Sequence, residues 1–147
     1  MADAPEIRKA WDMVDDAKKE IENLSAEEVE AELGTPNTVI VDIRDFRERY
    51  LRGAIPGAFH LDRGMLEFWI DPASEYYRDV FTPDKRYILY CAGGGRSALS
   101  AKTMKDMGFA DVAHLEAGFT GWADAGMPVE DCKANAKWVL RSDVDKG

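Results

Sequence analysis

Thiol and imidazole side chains are scarce in this chain. Two cysteines and two histidines occur among 147 residues. Two cysteines make no disulfide framework, which predicts a reducing compartment. His60 and His114 stand alone in sequence, and no Cys/His cluster has metal-ligand spacing, so no metal is expected. Positive charge is also short: the formal net charge is −9. That balance argues against nucleic acid and against anionic membrane surfaces as partners. No apolar run nears transmembrane length. The first residues, Met1 to Ile7, lack the basic region and apolar core of a secretory signal. Together these absences predict a cytoplasmic protein. The glycine-rich loop at residues 93–95 is not followed by the lysine a nucleotide P-loop requires, and no cofactor motif is present.

What is there is an ordinary globular composition, 46% hydrophobic and 32% charged, at a length that suits one domain. The most informative stretch is Cys91-Ala92-Gly93-Gly94-Gly95-Arg96-Ser97. The apolar run Tyr87-Ile88-Leu89-Tyr90 before it reads as a buried strand. Ala98, Leu99, Ala101, Met104 and Met107 after it read as a helix. The thiol is therefore expected where a strand turns into a helix. Unpaired loop and first-turn amides and the helix dipole favour an anion at such a place. A thiolate is the attacking form of cysteine. The glycines let the backbone curl and present its amides. Arg96 adds a fixed cation able to hold an oxyanion in its fork. An ordinary strand-end cysteine followed by a plain turn is the competing reading.

Along the chain, residues 5–23 read as an amphipathic helix through Ile7, Ala10, Trp11, Val14, Ala17 and Ile21. That helix either packs on the domain's own core or makes a homodimer contact. Ser25-Ala26-Glu27-Glu28 is a capping box opening a second helix. Thr38-Val39-Ile40-Val41 is β-branched without polar alternation, as in a buried parallel strand. A short charged helical stretch is expected over residues 45–52, and short strands over 59–61 and 112–115. Residues 62–83 are irregular and rich in aromatics, either a hydrophobic cluster under a loop or a rim beside the site. Alternating strands and helices argue an α/β domain with a parallel sheet, whose ligands bind at the carboxyl ends of strands. The expected division is an N-terminal extension over 1–23, the domain over 24–130, and a tail over 131–147 that is polar except for Trp138-Val139-Leu140.

In these residues the chain resembles the rhodanese homology family. Asp42-Ile43-Arg44 resembles the family's Asp-x-Arg. Residues 52–58, Arg-Gly-Ala-Ile-Pro-Gly-Ala, resemble its Gly-His-Ile-Pro-Gly-Ala motif, with Ala54 where His is common. Tyr90 through Ser97 resemble its active-site loop. Gly108-Phe109, Leu115-Glu116-Ala117-Gly118, Trp122 and residues 125–129 resemble its C-terminal signature, with Ala117 replacing a common Gly. The resemblance implies a three-layer α/β sandwich with a central five-stranded parallel sheet flanked by helices.

It also implies a sulfurtransferase that takes a sulfane sulfur from thiosulfate or a persulfide donor and passes it to a thiol acceptor. Cys91 would be the catalytic nucleophile and carry the persulfide. Ala92, Gly93, Gly94, Gly95, Arg96 and Ser97 would form the substrate-binding loop. Asp42 and Arg44 would support it, as scaffold rather than by substrate contact. Three alternatives share the fold: a persulfide carrier that works only with a protein partner, a phosphatase or arsenate reductase, and a non-catalytic binding module. Phosphatase-type members carry one more residue between Cys and Arg, whereas four separate Cys91 from Arg96 here. The retained cysteine argues against a bare binding module. Cys132 is expected to be a passive tail thiol rather than a resolving partner for Cys91, and Arg63 to have at most a place at the site entrance.

Overall fold

Along the central strand β4 (Arg86–Tyr90), Tyr87 and Leu89 belong to one apolar layer and Ile88 and Tyr90 to the other. This two-residue alternation divides the protein into three layers. The computed structural model describes residues 5–134. The apolar triplet at 138–140 lies outside them.

Five parallel strands form the sheet in the order β1-β5-β4-β2-β3, where β1 is Glu22–Leu24, β2 is Thr38–Asp42, β3 is Phe59–His60 and β5 is Val112–Leu115. On one face lie α1 (Ala10–Lys18), α4 (Leu66–Ile70) and α5 (Gly95–Asp106), burying Val14, Ala17, Leu66, Ile70, Ala98, Ala101 and Met104. On the other lie α2 (Ala26–Glu32) and α6 (Gly118–Asp124), burying Val29, Phe119 and Trp122. The short helix α3 (Phe46–Arg52) follows β2 and has no buried residue. The α/β fold with a parallel sheet is as the alternating strands and helices predict, and its five strands and three layers are as the family resemblance implies.

The expected helix over 5–23 is corrected. The helix spans only Ala10–Lys18, and Glu22–Leu24 form an edge strand paired with β5. Asn23 explains the break: its side-chain amide donates to the carbonyls of Lys18 at 2.9 Å and Ile21 at 3.2 Å, closing the turn that ends the helix. Ile21 keeps the helical spacing of apolar residues going past the helix end. It still reaches the core, and with Val14 and Ala17 it seats this segment on the domain's own sheet layer. Burying Val14 and Ile21 is each worth about 1.5–3 kcal/mol. Ile7 and Trp11 stay exposed.

The capping box at Ser25 is present, with Ser25 Oγ accepting from the Glu28 amide and Glu28 accepting from the Ser25 amide. In the aromatic segment, Phe81 is fully buried and meets Phe59 and Tyr87 at ring-centroid distances of 5.5 and 5.4 Å. This is the hydrophobic cluster, with α4 inside it. At the opposite end of the sheet from the glycine loop, Arg86 at the start of β4 binds Glu22, Glu32 and Asp111, joining β1, α2 and the approach to β5.

Candidate active site

Cys91 follows the last residue of β4, and the strand's alternation turns its side chain into the α1/α5 layer, where it is 1% exposed. The backbone then curls through Ala92 and Gly93 to Gly94, the residue that caps α5. Gly94 has φ 95°, and a Cβ there would collide with the Glu116 carbonyl, so only glycine fits. The curl aims two amides at the sulfur: Gly94 N–H at 3.1 Å and Ser97 N–H at 3.4 Å. These are the free donors of a helix start, and both point at the sulfur.

The loop is held from below by α6. The amides of Phe119 and Thr120 donate to the carbonyls of Cys91 at 2.7 Å and Ala92 at 3.1 Å. Gly118, with φ 68°, makes this approach possible: a Cβ there would sit 2.6 Å from the Ala92 carbonyl carbon and 2.7 Å from the Gly93 nitrogen. The Ala117-Gly118 element noted in the sequence thus acts as the support for the cysteine loop.

Behind Cys91 runs a buried polar chain. The Cys91 thiol donates to Ser97 Oγ at 3.6 Å, Ser97 Oγ lies 2.8 Å from His114 Nδ1, and His114 Nε2 lies 2.8 Å from Asn23 Oδ1. Asn23 Oδ1 can only accept, since its amide nitrogen is spent on backbone carbonyls. Nε2 therefore carries the histidine's proton, and Nδ1 accepts the Ser97 hydroxyl proton. Ser97 and His114 are fully buried, and burial pushes the His114 pKa down from 6.5 to about 4. His114 was read as isolated, and this is a correction: parallel pairing sets it beside Leu89, two residues before Cys91.

Arg96 is placed on the cavity wall beside the loop, but its fork is occupied. Nη1 and Nη2 each donate to a Glu48 carboxylate oxygen at 2.9 Å. The pair holds the Glu48 pKa below its usual range and the Arg96 pKa above its own. An incoming anion would have to share or displace this carboxylate. Glu48 is a site residue the sequence reading missed.

Asp42 and Arg44 form a separate buried unit. Asp42 accepts from Arg44 Nε at 3.0 Å and Nη2 at 2.8 Å, from Arg49 at 2.9 Å and from the Tyr90 hydroxyl at 2.8 Å. Burial works to raise the Asp42 pKa, but the Arg44 hydrogen bonds and charge overcome it and hold the carboxyl below its ordinary range. Arg44 also donates to the Gly53 carbonyl at 2.7 Å and lies over the Phe119 ring at 4.3 Å. Tyr90 and Phe119 are core residues of the layer opposite Cys91. The unit ties β2, β4 and the turn at 53–55 together and does not line the cavity at the thiol.

That cavity measures about 430 Å³ and opens between Cys91, Gly93 and Arg96 on one side and Trp11 and Leu99 on the other. No residue of the 62–83 segment lines it. Arg63 instead pairs with Glu67 at 3.0 Å and lies on a neighbouring depression. Cys132 does not line it either; it is a free, half-buried thiol whose pKa burial pushes up. Among the described residues, no helix is long and apolar enough to cross a membrane, and no cluster of three or more His, Cys, Asp or Glu could hold a metal.

The Rhodanese-like domain family profile matches residues 25–125, and the chain belongs to that family. A solved structure from Rhodopseudomonas palustris, described as a protein of unknown function and possible tyrosine phosphatase, is 49% identical. It superimposes with a TM-score of 0.82, covering 88% of this chain and all of that one. A thiosulfate sulfurtransferase from Pseudomonas aeruginosa is 30% identical with a TM-score of 0.66, over 82% of this chain and 22% of that one. Among curated proteins, the tRNA uridine(34) hydroxylase of Enterobacter sp. is 33% identical over 112 residues, 74% of this chain and 31% of the relative. The chain spans about a third of the length of the curated relatives it matches.

Proposed function

We propose that the protein is a sulfurtransferase that moves a sulfane sulfur from thiosulfate or a related donor to a thiol through a persulfide on Cys91. One observation carries the reading: the Cys91 sulfur receives two amide hydrogen bonds, from Gly94 and Ser97, inside a loop with four residues between Cys91 and Arg96. With thiosulfate, the Cys91 thiolate attacks the outer sulfur. The sulfur–sulfur bond of the donor breaks, and sulfite leaves with the electron pair. The outer sulfur, now bearing the negative charge, stays on Cys91 as a persulfide. A thiolate acceptor then attacks that terminal sulfur, and Cys91 departs as thiolate. Loop amides hold negative charge at each stage. No step calls for a general base, because the nucleophile is consumed and regenerated as an anion.

The expected outcome is thiosulfate-dependent thiocyanate formation with cyanide as acceptor, lost in Cys91→Ser. Equal turnover by Cys91→Ser would remove the cysteine from the mechanism. The same persulfide serves a carrier that delivers only to a protein partner. That reading gains if Cys91 accepts sulfur yet cyanide and small thiols release it only slowly.

A phosphatase reading draws on the description of the 49% identical relative. It is weaker here because four residues separate Cys91 from Arg96, one fewer than in phosphatase-type members of the fold. Hydrolysis of an aryl phosphate that depends on Cys91 would reverse this order. Hydroxylation is named for a relative of which the match covers 31%, and the proposal rests on this chain's own loop instead.

A further inference from the structure

The room beside Cys91 exceeds what a small dianion needs. Thiosulfate has five heavy atoms and is held by amides and cations, within the space of a few water molecules at roughly 30 Å³ each. The cavity is about 430 Å³, within the size range of sites for organic ligands, which are apolar-walled with a few polar groups. Its outer walls are Ala10, Trp11 and Val14 of α1 and Leu99 of α5. Arg96, the charged side chain among the described residues that line the cavity, is engaged by Glu48.

Trp11 is the unusual member. It belongs to α1, before the stretch matched by the family profile, and its side chain is 67% exposed beside the nucleophile. Its position is set from two sides. Val14 and Ala17 anchor α1 in the core shared with α5. The six-membered ring of the indole lies against Gly95, so closely that a Cβ there would be 3.0 Å from Cη2 and 3.1 Å from Cζ3. A bare glycine thus leaves room for the indole at the mouth of the cysteine loop. An exposed indole in that place offers area for stacking.

We propose that this wall binds the sulfur acceptor, and that the acceptor is a small organic thiol with an aromatic or apolar body. The body packs on Trp11 and Leu99 while the sulfur reaches the Cys91 persulfide. The acceptor arrives as thiolate, its proton already lost to water. It attacks the terminal sulfur, a new sulfur–sulfur bond forms, the Cys91–sulfur bond breaks, and its electron pair returns to Sγ. The product is an organic persulfide anion, with no net oxidation or reduction. The inference rests on the sulfurtransferase reading and adds the acceptor class to it.

The test is a single turnover of the whole chain. The protein is loaded with thiosulfate, freed of excess, and mixed with phenylmethanethiol or 2-mercaptoethanol at equal thiolate concentration. Loss of the added sulfur is followed by intact mass. The wild type should react about tenfold faster with phenylmethanethiol. Trp11→Ala should bring that ratio down to within about twofold of one, and Trp11→Phe should keep most of it. Thermal melts of both variants report that α1 remains docked. A wild-type ratio near one, or a ratio untouched by Trp11→Ala, overturns the acceptor wall while leaving the persulfide chemistry standing. If neither thiosulfate nor inorganic polysulfide adds sulfur to Cys91, the sulfurtransferase reading falls and takes this inference with it.

Discussion

The Ser97 hydroxyl lies 2.8 Å from His114 Nδ1, and this contact decides what Ser97 can offer Cys91. Its single proton is shared between the imidazole at 2.8 Å and the Gly94 carbonyl at 3.3 Å, and the imidazole's own proton goes to Asn23. Only the lone pairs of Ser97 Oγ are left toward the sulfur, so it can accept from a thiol but not donate to a thiolate. The hydrogen bonds that an anion would receive here come from the Gly94 and Ser97 amides, which do not titrate.

The same chain makes stability depend on pH. The folded His114 has a pKa of about 4, against an ordinary 6.5. Between those values the unfolded chain binds a proton that the folded chain refuses, so stability falls as pH drops from about 6.5 toward 4. The fully developed loss is about 3 kcal/mol. His114→Gln, which has no proton to gain, should show a smaller drop in urea midpoint between pH 7.5 and pH 5. Parallel pH profiles for the two proteins would show that His114 is not the group responsible.

Glu48 occupies both terminal nitrogens of the Arg96 guanidinium. Glu48→Gln removes the charge but keeps a side-chain oxygen for the Asp45 amide, which Glu48 now accepts at 3.0 Å. Releasing the guanidinium should lower the KM for thiosulfate by about three- to tenfold, and Arg96→Ala should raise it by a similar factor. Both are read at constant ionic strength, because the partly exposed pair is screened by salt. If neither variant moves KM, Arg96 has no part in binding the donor.

Gly118→Ala separates collision from backbone strain. The new Cβ would press on Ala92 and Gly93, whereas at Gly57, with φ 79°, a Cβ meets nothing within 4 Å. Gly57→Ala should cost about 1 kcal/mol from conformation alone and keep activity. Gly118→Ala should cost about 2–4 kcal/mol and reduce sulfur transfer, since relief of the clash must shift the cysteine loop. Equal losses in stability and activity at the two positions would contradict the role given to Gly118.

Local signals carried much of the fold. The Ser25 capping box, the β-branched run at 38–41 and the strand-to-helix turn at Cys91 each depend on neighbours in sequence, so their residues announce them. Edge strand β1 escaped because Ile21 continues the helical spacing past the point where Asn23 ends the helix. The Glu48–Arg96 pair and the Asn23–His114–Ser97 chain escaped for another reason. Their members are 48 and up to 91 residues apart, and only the parallel register of β1, β5 and β4 brings the latter together. Trp11 was legible as one of the apolar residues of the N-terminal helix. Its place at the cysteine loop follows from the packing of α1 on α5, which periodicity does not reveal.

The central claim is that Cys91 accepts sulfur. It is tested most directly by incubating the protein with thiosulfate, removing the excess, and comparing its intact mass with that of Cys91→Ser. The account predicts a gain of one sulfur atom on the wild type, none on the variant, and loss of the gain on adding cyanide. A wild type that gains no sulfur from thiosulfate or polysulfide, or a Cys91→Ser variant that gains as much, would contradict it.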